Sequence, residues 1–522
     1  MSLIVDSLDL ILFVALCAAI LAGYPVVFTL AGLGVLFALL GTATGHFDLG
    51  LLRALSQRVY SIMTNEVLLA IPLFVMMGVI LERSRIAEEL LEEMARLFGA
   101  VRGGLAVSVT LVGMLLAAST GIVGATVVTM ALIALPTMLR NGYDRRLAAG
   151  AVTSAGTLGQ IIPPSTMLII LAEVMSSGYQ QAQFAQGKFS VETISVGQVF
   201  AAALVPGLMM VGLYVAWILI LSALRPRMAP PMAESAGRVD PWRVLSVLVP
   251  PVVLIVAVLG SILGGVATPT EAASVGAIGA LMLAAPRLAP DASRWPIRAA
   301  VAAVIGLLAL SRLFDLRIAR QEITPVDQAA IWVAIALTVV LAWGIAVAFL
   351  RAGRAGVLKP VVTSTMTVTA MIFAMLIGAS LFSLVFRGLG GDVRVEEFLT
   401  GMPGGQLGAL AFVMALVFVM GFFLDFVEIS VIVLPIVVPV LLIMGMDPIW
   451  LAVMIAINLQ TSFMTPPFGF SLFYLRGAAP KEVRTIDIYR GIIPFVILNL
   501  IGIALVYAVP TIGTWLPGLL FG

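Results

Sequence analysis

The sequence predicts an all-α, polytopic membrane protein built from inverted repeats, each with a re-entrant helical hairpin and a broken transmembrane helix. Three observations predict it. The first is composition: of 522 residues, 61% are hydrophobic and 11% charged, with mean hydropathy +1.15, whereas a soluble domain carries about 25% charge. The second is the stretch Gly156-Thr-Leu-Gly-Gln-Ile-Ile-Pro-Pro-Ser165, inside an apolar run from about Leu147 to Val174. Pro163 and Pro164 lack N–H groups, and Pro164 drives Pro163 out of the helical region, so the helix breaks near mid-membrane. Broken backbone at that depth survives only inside protein or along a watery cavity. The third is a second copy, Asn458-Leu-Gln-Thr-Ser-Phe-Met-Thr-Pro-Pro467. Pro466 lies 303 residues after Pro163, and Pro439 lies 303 after Pro136. Without a gap, that offset also pairs Leu139 with Leu442, Gly142 with Gly445, Asp144 with Asp447, Ala149 with Ala452 and Pro164 with Pro467. Leu and Ala matches are cheap in an apolar chain. Two Pro-Pro pairs and two Gly-x-Asp pairs in register indicate a duplication.

Composition also excludes several classes. A net charge of +2 gives no reason to expect nucleic acid. The single cysteine, Cys17, rules out an internal disulfide framework and a cysteine-clustered metal site. The single histidine, His46, reads as an interfacial loop residue rather than a metal ligand. Asp6 and Asp9, with no Lys or Arg, precede the first apolar run; that is the wrong flank for a signal peptide, and the run reads as a retained span.

Residues 1–103 hold the N-terminal spans and an interfacial helix. Leu10 to Leu40 is apolar but interrupted by Gly23-Tyr24-Pro25. As one helix it would be about 46 Å long against a hydrocarbon core of roughly 30 Å, so two spans hinged there fit better than one kinked helix. Residues 42–66 are more polar, and a span follows at about 67–81. Glu82 to Arg102 is the most charged segment, and Ile86, Leu90, Leu91, Met94, Leu97 and Phe98 recur on one face of an amphipathic interfacial helix. It is either a solvated connector or a lever between a moving and a fixed part.

Residues 104–224 form the first repeat. Its hairpin, 104–140, has the tip Ser119-Thr120-Gly121-Ile-Val-Gly124-Ala-Thr126. Two ordinary spans joined at Gly121 would also fit. Arms of roughly 14–15 residues, short of the ~20 needed to cross, favour the re-entrant form. Arg96 and Arg102 before it, and Arg140, Arg145 and Arg146 after it, put both ends on the cytoplasmic side. The broken helix, 147–175, leads to an outer loop, 176–198, and a span at 199–224.

Residues 225–360 connect the repeats. Arg225, Arg227, Arg238 and Arg243 mark a cytoplasmic loop, and spans follow at about 244–263 and 270–286. Between them Thr268-Pro-Thr-Glu-Ala272 reads as a helix start, with Pro269 in the first turn and Glu271 capping. Residues 287–360 read as an insertion with apolar runs at about 299–313 and 329–350. An even number of crossings there keeps the later topology, although Arg312, Arg317 and Arg320 then face outward against the positive-inside rule.

Residues 361–522 form the second repeat: a span at 361–385, an outer connector to Gln406, a hairpin at 407–445, a broken helix at 450–475 and a span at 491–509. The second hairpin tip is Gly421-Phe-Phe-Leu-Asp425-Phe-Val-Glu428-Ile-Ser430. Arg476, Lys481, Arg484 and Arg490 lie inside, so the hairpins enter from opposite faces, as an inverted repeat requires.

The candidate chemistry sits at the tips and breaks. Acids in the middle of an apolar run, Asp425 and Glu428, are functional-site candidates; the alternative is two full spans with the acids in an aqueous turn. Asp425 beside unwound carbonyls would form a hard-oxygen site suited to an alkali cation such as sodium. Asn458, Gln460, Thr461, Ser462 and Thr465 would complete it around Pro466 and Pro467. The first half offers Ser119, Thr120, Thr126, Thr157, Gln160 and Ser165, with Gly121, Gly124, Gly156, Gly159, Pro163 and Pro164 shaping the backbone, but no acid. Half-helix N-termini there would favour an anionic substrate group, most simply a carboxylate. Singly, each hydroxyl is more often packing glue; tip plus break, twice, carries the reading.

The segments AASTGIVGATVVTM (117–130), LPTMLRNGYD (135–144), GTLGQIIPPS (156–165), ATPTEAASVGA (267–277), GFFLDFVEISVIVLPIVVPVLLIMGMDP (421–448) and TPPFGFSLFYLRG (465–477) resemble the large permease subunit of tripartite ATP-independent periplasmic (TRAP) transporters. The resemblance spans nearly the whole chain except 287–360. It implies a multi-pass bacterial inner-membrane transporter of elevator type, driven by sodium ions rather than ATP and needing no cofactor. It implies an organic carboxylate delivered by a periplasmic binding protein, a small membrane subunit as partner, and ion sites at the hairpin tips and helix breaks. The first tip departs from the pattern, reading Ser119-Thr-Gly-Ile-Val-Gly where many relatives read Ser-Gly-Ser-Ser-Val-Ala. A stand-alone ion-coupled carrier or antiporter is the alternative. An intramembrane enzyme fits poorly, because the chain has one His, one Cys, no His-Glu-x-x-His and no phosphate-binding Gly-Lys-Ser/Thr loop.

Overall fold

A computed structural model of the chain describes residues 7–121, 123–232, 240–319 and 323–522, without the side chains of Ser119 and Thr120. Asp6, Ile122, Arg238, Arg320 and Glu322 lie outside the described residues. Among the described residues there are helices and loops but no strand, and nine helices are long and apolar enough to cross a membrane. Lipid offers backbone groups no partners, so spanning segments must satisfy their own hydrogen bonds.

Gly23-Tyr24-Pro25 divides the first apolar run into α1 (Leu8–Leu21) and α2 (Val26–Ala43), with Gly23 at φ +88°. Next come α3 (Arg53–Met63), α4 (Ala70–Arg83) and α5 (Ile86–Phe98). The first hairpin is α6 (Gly104–Thr120) and α7 (Val123–Arg140), followed by α8 (Arg145–Thr157), a 3-10 turn (Leu158–Gln160), α9 (Thr166–Ala185) and α10 (Val196–Leu224). The connecting part holds α11 (Pro241–Leu263), α12 (Pro269–Leu288), α13 (Trp295–Leu313) and α14 (Pro325–Arg354). The second repeat holds α15 (Leu358–Gly388), α16 (Gly391–Thr400), α17 (Gln406–Met420), α18 (Phe426–Ile432), α19 (Leu434–Ile443), α20 (Pro448–Phe463), α21 (Phe470–Ala478), α22 (Thr485–Ala508) and α23 (Thr511–Phe521).

The duplication is visible in the element order. A span, a short surface helix, a hairpin, a broken helix and a closing span occur as α4 to α10 and again as α15 to α22. The 303-residue offset maps Val123 and Arg140, the ends of α7, onto Phe426 and Ile443, the outer ends of the α18/α19 pair. It also explains the Gly-x-Asp matches. Gly142 and Gly445 take φ +76° and +94°, which glycine adopts without steric cost. Asp144 then caps α8 through the N–H groups of Arg146 and Leu147, and Asp447 caps α20 through that of Trp450.

Five details differ from the sequence reading. First, α9 runs to Ala185, so the outer loop starts there rather than at 176. The hydropathy falls at Ser176, but the polar side chains support a helix: Gln180 and Gln181 donate to Ser176 and Ser177, one turn back. Second, the polar stretch 42–66 contains α3, and the outer connector before Gln406 contains α16. Third, α23, absent from the sequence reading, packs on α10 and α20. Fourth, Leu97 is exposed at the edge of the α5 stripe, while Ile86, Leu90, Leu91 and Met94 are buried. Fifth, the arms of the first hairpin have 17 and 18 residues, longer than the sequence reading allowed.

The polar face of α5 is anchored. Glu89 pairs with Arg287 of α12 at 2.7 Å, and Glu93 with Arg243 of α11 at 2.8 Å. Thr268 and Glu271 form the expected capping box of α12. The insertion helices α13 and α14 pack on each other and on α12, leaving most of their apolar surface exposed.

Candidate functional site

The first hairpin closes at Gly121, whose φ of +61° suits glycine. Its carbonyl accepts from Thr166 Oγ1 at 3.0 Å, at the start of α9. A Cβ on Gly121 would sit 2.8 Å from that hydroxyl, and one on Gly159 would sit 2.5 Å from the Ala117 carbonyl oxygen. A Cβ on Gly156 would overlap Val127 of the returning arm. Glycine at 121, 156 and 159 therefore lets the hairpin seat directly on the break. The tip ends where α8 gives way to α9, part-way along a span, which makes the hairpin re-entrant.

Both breaks repair themselves in the same way. Pro164 has no N–H to offer the carbonyl of Gln160, and Ser165 Oγ donates to that oxygen instead, at 3.2 Å. Pro467 leaves the carbonyl of Phe463 without its N–H, and Ser471 Oγ donates to it at 2.7 Å. The two orphaned carbonyls, 160 and 463, are again 303 residues apart. Pro163 and Pro164 are buried, whereas Pro466 is half-buried and Pro467 exposed.

The second hairpin runs down α17, turns at Gly421 and returns through α18 and α19, which meet at a 57° bend. A Cβ on Gly421 would overlap the Ser462 side chain, and the rings of Phe423 and Phe468 lie 5.6 Å apart. This tip too is seated on the break of its own repeat. Asp425 and Glu428 are half-buried. They form a capping box for α18: Asp425 Oδ1 accepts from the N–H of Phe426 at 2.7 Å, and Glu428 Oε2 accepts from that of Asp425 at 2.8 Å.

The polar residues of the breaks are mostly bonded to their own helices. Thr157 donates to the Ser154 carbonyl, Thr461 to Ile457, Ser462 to Leu459 and Thr465 to Thr461. A donating hydroxyl keeps lone pairs that can accept or coordinate. Asn458 Nδ2 donates to the Met414 carbonyl of α17 at 2.7 Å. Thr126 is buried. Gln160 is fully buried, and its carboxamide has no hydrogen-bond partner among the described residues. The side chains of Ser119 and Thr120 lie outside the described residues.

The two halves interlock crosswise. The returning arm α7 packs on α21, so that a Cβ on Gly124 would meet the Tyr474 ring at 2.8 Å. The returning arm α19 packs on α9, where a Cβ on Gly178 would meet Val438 at 2.9 Å. Each hairpin thus seats its tip on its own break and leans its outer arm on the other repeat. A buried chain adds a further link: Gln460 Nε2 donates to Tyr214 Oη at 3.3 Å, and Tyr214 donates to Asn499 Oδ1 at 2.7 Å. The sequence reading missed Tyr214 and Asn499; the available signal was a polar group in the middle of each closing span. It also missed Thr166 and Tyr474, whose roles depend on packing alone.

Comparison with known proteins matches this architecture. The family model described as the DctM component of the tripartite ATP-independent periplasmic transporter matches residues 13–309 and 288–512. The chain is 27% identical over 520 residues to the C4-dicarboxylate TRAP transporter large permease protein DctM of Vibrio cholerae, covering 98% of each. It is 22% identical over 518 residues to the ectoine TRAP transporter large permease protein TeaC of Halomonas elongata, covering 98% of this chain and 99% of that one. In fold it is similar to the YdaH transporter of Alcanivorax borkumensis, with a TM-score of 0.53 at 14% identity over 90% of this chain and 89% of that one. These relatives are transporter permeases, not enzymes. The chain is a multi-pass membrane protein that belongs to the DctM family, the large permease component of TRAP transporters.

Proposed function

We propose that this permease takes up a small organic carboxylate across the bacterial inner membrane, driven by sodium ions that enter with it. A periplasmic binding protein delivers the substrate, and a small membrane subunit completes the complex. The observation that carries the reading is the seating of two hairpin tips on two helix breaks. At these junctions α6, α8, α17 and α20 bring their C-terminal ends, and α7, α9 and α21 their N-terminal ends. C-terminal carbonyls favour a cation and N-terminal N–H groups favour an anion. The two kinds of end, placed side by side, suit a cation and a carboxylate that travel together.

In the second half, sodium is held by Asp425 with carbonyl and hydroxyl oxygens of the 458–467 segment; Asp425 is capping residue and ion ligand at once. Glu428 fixes the backbone at Asp425. In the first half, where neither the tip nor the break carries an acid, Thr157, Gln160 and Ser165 serve with the backbone carbonyls of the break. The hairpin-and-break body, α6 to α10 with α17 to α23, moves as an elevator against a frame of α1, α2, α4 and α12 to α15. The binding protein selects the particular substrate; relatives are named for C4-dicarboxylates and for ectoine.

The test is uptake of labelled succinate into proteoliposomes holding this chain and its small subunit, with a succinate-loaded binding protein outside. Inward sodium and potassium gradients of equal size are compared. Uptake that requires both sodium and the binding protein supports the reading. Uptake without binding protein would instead identify a stand-alone carrier, and equal uptake with potassium would remove sodium from the mechanism.

A further inference from the structure

Four arginines are half-buried among the described residues: Arg58, Arg287, Arg351 and Arg387. Arg287 meets the carboxylate of Glu89, as the exposed Arg243 and Arg394 meet those of Glu93 and Asp9, and Arg351 donates to the Ser293 carbonyl. Arg58 of α3 and Arg387 near the end of α15 are half-buried, and among the described residues neither has a carboxylate within salt-bridge distance.

They share one surface. Arg58 Nη1 donates to the Ser380 carbonyl of α15 at 3.5 Å. Ser380 and Arg387 are seven residues apart, two turns, and so lie on the same face of α15. A helical side chain leans toward its helix N-terminus, which carries the Arg387 guanidinium back toward Ser380. Burial first, and then the positive charge of Arg387, pulls the Arg58 guanidinium below its ordinary pKa. Arg387 Nη2 also donates to Gln181 Oε1 of α9 at 2.6 Å and to the Pro435 carbonyl at 3.2 Å, which places it at the seam between frame and hairpin body. The helix that supplies Arg58 buries none of its residues, and it exposes Tyr60 and Met63 beside its polar groups. That is the composition of a helix lying along a membrane surface.

Two like charges on one partly buried surface repel each other, and an anion between them relieves the repulsion; the Asp392 carboxylate acts on Arg387 only from beyond salt-bridge distance. We propose that Arg58 and Arg387 form an oxyanion-binding site at the seam between frame and hairpin body, taking a lipid phosphate or a free carboxylate in their guanidinium forks. Planar guanidinium groups bind both chemistries through paired charge-assisted hydrogen bonds. The site stands on the arginine pair and is separate from the sodium site proposed at the hairpins.

Arg58→Gln is the informative change, because Arg58 makes one long hydrogen bond while Arg387 also grips the second hairpin. The purified full chain is delipidated in detergent. It is titrated with dioleoylphosphatidylglycerol, read by native mass spectrometry, and separately with succinate, read as a rise in melting temperature. The comparison set is wild type, Arg58→Gln, Arg58→Lys and Arg53→Gln, Arg53 being exposed on another face of α3. One probe binds the wild type and binds Arg58→Gln about tenfold more weakly, with Arg53→Gln unchanged. Phosphatidylglycerol as that probe identifies the lipid headgroup as the source; succinate identifies a soluble carboxylate. Should Arg58→Gln melt below the wild type when unliganded, Arg58→Lys takes its place, and its loss of the planar fork weakens binding. The site is refuted if neither probe binds the wild type, if the Arg58 variants bind as the wild type does, or if Arg53→Gln weakens binding equally.

Discussion

Gly159→Ala tests whether the first hairpin is seated on the helix break as tightly as the packing indicates. The added Cβ would lie 2.5 Å from the Ala117 carbonyl oxygen and 2.7 Å from both the Ala117 carbonyl carbon and Cβ. Comfortable carbon contacts begin near 3.5 Å, so the hairpin arm and the 3-10 turn must separate by about 0.5–1 Å. The obstacle is backbone, which cannot swing aside as a side-chain tip would. Overpacking of this kind costs about 1–3 kcal/mol, and replacing glycine by alanine returns up to about 1 kcal/mol of backbone entropy. The net is a loss of about 1–2 kcal/mol, read as a lower melting temperature in detergent. Succinate uptake falls with it, because the same displacement opens the tip. Gly212→Ala in α10 is the control: nothing lies within 4 Å of its added Cβ, so it should be neutral or slightly stabilising. A Gly159→Ala protein that melts and transports like the wild type would refute the reasoning.

Other changes separate scaffolding from function. Thr268→Ala removes one half of the α12 capping box and should cost about 1 kcal/mol. Glu271→Gln keeps a side chain able to accept from the Thr268 N–H and should leave melting and uptake unchanged, because that acid is a cap. Tyr214→Phe leaves Asn499 and Gln460 without the hydroxyl that joins them, and a drop in melting temperature equivalent to about 1–3 kcal/mol is expected. Arg387→Gln removes the donor that serves the Pro435 carbonyl, which Pro439 cannot reach with an N–H. Hydrogen exchange across residues 434–443 should then speed up, and exchange at the wild-type rate would count against this role.

Much of the architecture was legible because proline and glycine act locally. The Pro-Pro pairs break a helix whatever surrounds them, and their repetition at one offset exposed the duplication. Hydropathy placed the main spans for the same reason, since lipid leaves the backbone no alternative. It failed for α3, α16 and the outer half of α9, which are helical through propensity and side-chain pairing rather than through burial. The roles of Gly156 and Gly159 depend on which atoms of the hairpin arrive opposite them, and only the folded chain supplies those. Asp425 and Glu428 illustrate a readable signal given a single meaning. Asp-x-x-Glu ahead of an apolar run is a capping-box pattern, and the structure uses it as one. That role leaves ion binding by the same carboxylate as a matter for experiment.

The most direct test compares Asp425→Asn with Asp425→Ala. Asparagine caps a helix about as well as aspartate, whereas alanine costs about 1 kcal/mol, so only the alanine variant should melt lower. If Asp425 holds the coupling ion, both variants lose sodium-driven uptake, because asparagine keeps the cap and removes the charge. Sodium-dependent uptake in Asp425→Asn equal to that of the wild type would contradict the account and leave Asp425 as a cap alone.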